Sequence, residues 1–120
     1  MADRMMMITW GEPVRGREER GLEVLNEAIG MYGRMQGDGR IESFEVVLLT
    51  PSTDLGGYIA ARGSAAQIAA LREDEEYQRN IVDATLCVNN VRVCEGYCDA
   101  GVARQVELYQ EGIAKVPQMA

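Results

Sequence analysis

Trp10, Tyr58, Arg62, Arg92 and Cys94 are the side chains of this sequence whose types and spacing could do chemistry. Tyr58 and Arg62 stand in the segment GYIAARG, and Arg92 and Cys94 in VRVCEGY. In both pairs the even spacing puts the two side chains on one face of an extended strand. An aromatic ring, two guanidinium groups and a thiol over an apolar floor would suit a small anionic or aromatic ligand, with Trp10 closing the cleft. The competing reading is structural: the same face fills an interface between two copies, with Arg62 and Arg92 paired to carboxylates across it. Cys94 beside Arg92 is a candidate nucleophile, because a neighbouring cation favours the thiolate, and equally a candidate inert core cysteine. Glu45 and Glu95 are the acids well inside expected strands. They belong to no motif, so a solvated or salt-bridged role is favoured over general-base work.

The chain contains no histidine. Imidazole ligation of haem, histidine-activated nucleophiles and histidine-containing zinc sites are therefore excluded together. Cys87, Cys94 and Cys98 have no metal-ligand spacing, so neither a metal nor a cofactor is expected. Met5, Met6 and Met7 read as a pliable core strand. A net charge of −7, from 19 acidic against 12 basic residues, sets a field that repels phosphate backbones, and no nucleic-acid partner is expected. No apolar run approaches the roughly 18 residues that span a bilayer, so no membrane insertion is expected. The apolar cluster in MADRMMMITW is short for a signal peptide and reads as a first strand, which with an odd number of cysteines points to the cytoplasm. A chain of 120 residues is expected to form a single domain, residues 1–120.

Those side chains need elements to hold them. The clearest β signal is residues 41–63: a strand from Ile41 to Thr50, dense in β-branched and aromatic residues, and a shorter one from Tyr58 to Arg62. Pro51, Ser52, Asp54, Gly56 and Gly57 supply the turn between them. If the first of these strands is buried throughout, Leu48→Ala should cost about 2 to 5 kcal/mol. Met5 to Trp10 reads as an earlier strand, stopped by Pro13. Leu22, Leu25, Ile29 and Tyr32 recur at helical steps and predict a helix over residues 17–35. Ser64 and Gln67 form a capping box that starts a second helix, which the charged segment from Arg72 to Glu76 bends or interrupts. Val91 to Tyr97 alternates as a last strand. Val102, Val106, Tyr109, Ile113 and Val116 then form the apolar seam of a C-terminal helix, narrow enough to cap a sheet or a neighbouring subunit.

With right-handed crossovers this order folds into an α+β, ferredoxin-like βαββαβ plait with an extra C-terminal helix, its antiparallel strands in the order 4-1-3-2. On the third strand Tyr58, Ala60 and Arg62 face away from the helices, and Ile59 and Ala61 toward them; on the fourth, Arg92 and Cys94 face away and Val91 and Val93 toward them. Element order and length over nearly the whole chain resemble the dimeric α/β barrel superfamily, which includes antibiotic biosynthesis monooxygenases, EthD-like and YCII-like proteins. LGGYIAARGSAAQI, Leu55 to Ile68, looks like the strand-to-helix passage of the YCII-like group, whose DGPF signature is absent here. The resemblance implies a homodimer with its two sheets face to face and a cleft on each bare sheet face. The function it implies is a small-molecule-binding or structural homodimer. The alternative is a cofactor-independent monooxygenase or isomerase acting on a small aromatic or anionic substrate.

Overall fold

A computed structural model describes residues 2–50, 54–117 and 119. Its elements are β1 (Arg4–Trp10), α1 (Glu18–Gly37), β2 (Ser43–Leu48), β3 (Gly57–Gly63), α2 (Ala65–Glu73), α3 (Glu75–Thr85), β4 (Arg92–Tyr97) and α4 (Ala100–Ile113). The four strands form one sheet in the order β2-β3-β1-β4, antiparallel at every pairing. This is the ferredoxin-like plait expected from the sequence, seen from its other edge.

Local chemistry explains where the elements begin and end. Glu18 and Glu19 in the first turn of α1 and Arg34 in its last turn complement the helix dipole. The chain then reverses through Gly39, whose φ of +77° suits glycine. The amide nitrogen of Gln67 donates to the carbonyl of Gly39 at 3.0 Å, tying this reversal to the start of α2. The capping box at that start is complete: the Ser64 hydroxyl accepts from the Gln67 N–H at 3.1 Å, and Gln67 Oε1 accepts from the Ser64 N–H at 2.8 Å. The charged segment that follows is an interruption. Asp74 is extended, and its carboxylate accepts from the Tyr77 N–H at 2.9 Å, ending α2 and capping α3 with one residue.

The core lies between one sheet face and the helices. Met6 and Ile8 of β1 and Ile59 and Ala61 of β3 meet Ala28, Met31, Tyr32 and Met35 of α1, with Ile68, Leu71 and Tyr77 closing the other side. The rings of Tyr32 and Phe44 pack with centroids 5.8 Å apart. Of the three methionines on β1, only Met6 enters this core; Met5 and Met7 are half-buried on the opposite face.

Two expectations need correction. Leu48 is 66% exposed and Leu49 is also exposed, because β2 is an edge strand that ends at Leu48, beyond the cover of the helices. The core-like penalty assigned to Leu48→Ala therefore belongs to inner positions such as Met6. Leu22, read as part of the buried stripe of α1, is exposed as well. Of the turn residues between β2 and β3, Pro51 and Ser52 lie outside the described residues.

Candidate functional site

The register fixes which side chains share a face. Met7 pairs with Ala60 and Cys94, Thr9 with Tyr58 and Arg92, and Met5 with Arg62 and Gly96. Tyr58, Arg62, Arg92 and Cys94 therefore stand together on the bare sheet face with Met5 and Met7, as the alternation of β3 and β4 implies. Arg62 Nη1 lies 3.6 Å from Glu45 Oε1, so its guanidinium has a carboxylate partner on the neighbouring strand. Both groups are partly exposed, and such a pair contributes little to stability on its own. Beside them, partial burial pushes the Cys98 thiol above its ordinary range; Asp99 adds to this and Arg62 opposes it. The Cys98 thiol donates to the carbonyl of Arg4 at 3.4 Å. Cys94 is a free, exposed thiol.

Trp10 departs from this group. It shares the parity of Met6 and Ile8 along β1, so its indole lies on the helix-packed face and cannot close a cleft on the other. Gly57 makes room for it: a Cβ there would stand 2.9 Å from the indole and 2.5 Å from the carbonyl of Val47. The indole forms one wall of a cavity of about 220 Å³ between the end of the sheet and helices α1 and α3. Ile8, Leu25, Ala28, Tyr32 and Ile81 are among its remaining apolar lining, with Ala84 on the α3 side. A cavity of roughly 150 Å³ lined by apolar side chains holds benzene, so this one has space for one or two fused rings.

Two features give the cavity polarity. Tyr32 is 1% exposed, and burial pushes its phenol far above the ordinary range, with Tyr77 adding to the shift. It stays a neutral hydroxyl at any physiological pH. Among the described residues no hydrogen bond to that hydroxyl is seen, and Tyr77, whose charge adds to the shift, stands outside the cavity lining. Glu18 and Asn80 also line the cavity, and the Asn80 amide donates to the carbonyl of Val24 at 3.3 Å, joining α3 to α1. Arg20 adds a second tie, reaching Glu27 at 3.0 Å and Asp83 at 3.3 Å. These links hold the two helices over the cavity.

Sequence reasoning missed the cavity because it depends on how far α1 and α3 stand apart, which no local pattern encodes. Its one trace is the small residues facing each other there, Gly21 and Ala28 on α1 and Ala84 on α3.

No protein-family model matches the chain, and no curated protein sequence matches it. Solved structures do. A dimeric protein of unknown function and ferredoxin-like fold from Bacteroides fragilis superposes with a TM-score of 0.59 at 11% identity, over 79% of this chain and 96% of that one. A dimeric ferredoxin-like protein of unknown function from Jannaschia superposes with a TM-score of 0.58 at 13% identity, over 80% of this chain and 98% of that one. SnoaB, a cofactor-independent oxygenase from Streptomyces nogalater, superposes with a TM-score of 0.56 at 7% identity, over 81% of this chain and 94% of that one. These likenesses agree with the resemblance drawn from element order, and at such low identity they establish the architecture: the chain is an α+β protein of the ferredoxin-like fold.

Proposed function

We propose that this protein is a homodimer that binds a small aromatic or otherwise apolar molecule in the cavity between its sheet and helices α1 and α3, while its bare sheet faces pack against each other. The observation that carries the ligand reading is the cavity itself: a half-open, apolar pocket of about 220 Å³ with an indole wall and a neutral phenol in its lining. The dimer is supported by a sheet face bearing the half-buried side chains of Met5, Met7 and Val47, and by the dimeric state of the neighbours from Bacteroides fragilis and Jannaschia. Tyr58, Arg62, Arg92 and Cys94 belong on this reading to the interface rather than to the ligand. Free thiols at Cys87, Cys94 and Cys98 support a reducing compartment, the cytoplasm.

Trp10 is the sole tryptophan, so intrinsic fluorescence reports directly on the cavity. Titration with a naphthol should quench it saturably, and Ala84→Phe, which fills the space, should weaken binding by about tenfold or more. Equal affinities for the two proteins would place the ligand elsewhere. Arg62→Met separates the two faces of the sheet. It should leave naphthol affinity unchanged and weaken the dimer, because it strands Glu45 in the interface. A loss of about 1.5 to 3 kcal/mol in ligand affinity, the contribution of a charge-assisted bond, would move the ligand to the bare face instead.

A second reading is a cofactor-independent monooxygenase acting on a small aromatic substrate, supported by the likeness to SnoaB. Dioxygen uptake on mixing with a hydroxylated aromatic tests it, and no uptake with any cavity-binding compound leaves the binding role.

A further inference from the structure

The chain exposes more surface than a folded monomer of its size should. Its accessible area is 7901 Å² for 13.2 kDa, against about 6,400 Å² for a compact monomer of that mass. Its radius of gyration is 17.1 Å, against about 13.6 Å for a compact domain of this length. Helix α4 is one source of the difference. Gly101 is its sole buried residue, while Val106 is 49% exposed, Tyr109 73%, and Val102 is exposed beside them.

The root of this helix is fixed. The N–H of Cys98 donates to the carbonyl of Asp3 at 3.2 Å, and a Cβ at Gly101 would collide with that same carbonyl. The helix thus leaves the body rigidly from beside the start of β1. Its spacing is that of a seam made for packing, since Val102, Val106 and Tyr109 step by four and three along one side. Arg104 and Glu107 pair at 3.2 Å on the opposite side, which is the solvated one.

We propose that α4 is an arm that lays its Val102, Val106 and Tyr109 seam on a second copy of this chain, extending the sheet-face contact on which the homodimer reading rests. Three observations select that occupant. The excess area of roughly 1,500 Å² exceeds the approximately 800 Å² that each partner contributes to a standard interface, so there is enough surface for a sheet contact and an arm together. The root of α4 follows β4, an edge strand of the sheet whose bare face forms that contact, so the two surfaces are continuous. The polar side of α4 carries Arg104 against Glu107 and Glu111, with Lys115 just beyond its end, and so lacks the basic excess of a helix made for acidic membranes.

Sedimentation equilibrium on three full-length proteins tests this: the parent, a Val106→Glu/Tyr109→Glu variant of the arm, and a Val47→Glu variant of the bare face. Both arm positions are exposed within the protomer, so the variant should keep the circular dichroism of the parent. The arm variant should raise the dimer dissociation constant about tenfold or more. An unchanged constant overturns the arm, even if Val47→Glu dissociates the dimer as the sheet-face reading requires. Weakening by the arm variant alone supports the arm and removes the sheet-face contact. A parent that sediments as a monomer at micromolar concentration removes both. Hydrogen exchange gives a readout free of substitutions: the α4 amides of the parent should slow as concentration rises through the dimer transition, and exchange independent of concentration overturns the arm.

Discussion

Met6→Ala should lower the unfolding free energy by about 2 to 5 kcal/mol, whereas Leu48→Ala should cost less than about 1 kcal/mol. Both residues are large and apolar and sit in strands, so intrinsic propensity does not separate them. Position does: Met6 is fully buried on the central strand under the helices, and Leu48 stands at the end of an edge strand. Truncating Met6 leaves a void among Ile8, Met31 and Ile68 that close packing cannot collapse fully. Urea denaturation of both variants at one protein concentration checks the contrast. Equal losses would mean that the helical layer reaches over the end of β2 as well as over β1.

Tyr32→Ala should be the costliest substitution on the helical side, at about 3 to 5 kcal/mol, while Tyr32→Phe should stay within about 1 kcal/mol near neutral pH. The small second figure follows because the hydroxyl has no partner to lose among the described residues. The two proteins should part in alkali. Burial raises the phenol above its unfolded value of about 10, so the folded state keeps a proton that the unfolded state releases. The stability this contributes is complete below pH 10 and is lost as pH climbs toward the folded value, at up to about 1.4 kcal/mol per pH unit. Tyr32→Phe removes that slope, and the raised phenol of Tyr77 leaves a remainder. Chemical denaturation at neutral pH and about one unit above the ordinary phenol range decides the matter, since parallel losses for parent and Tyr32→Phe would show that Tyr32 ionises as freely folded as unfolded.

How far the fold was legible in the sequence depended on whether each signal was local. The capping box of Ser64 and Gln67 and the break at Asp74 are decided by side chains within three residues of the backbone groups they satisfy, and both were readable. On β3 the contrast of Tyr58 and Arg62 with Ile59 and Ala61 declares which face is which. On β1 three successive methionines hide the alternation, so the parity that turns Trp10 toward the helices was invisible. The apolar density of β2 shows a strand but not how far the helices extend over it, which is why Leu48 was misjudged. Tyr58, Arg62, Arg92 and Cys94 could be placed on one face because strand period alone decides it. The cavity could not be found, because it depends on the separation of two helices that are distant in sequence.

The central strand β1 obtains its two neighbours at different times. Met7 meets Ala60 on one edge and Cys94 on the other, so during synthesis β3 emerges well before β4. In that interval β1 presents an open row of unpaired N–H and C=O groups, in a segment rich in methionine that invites association with other nascent chains. Pairing at such sequence separation is also slow to form. Soluble yield in the cell therefore hangs on how quickly β4 is captured, and substitutions along that exposed strand will be felt as aggregation during production more than as a lower melting temperature of the finished protein.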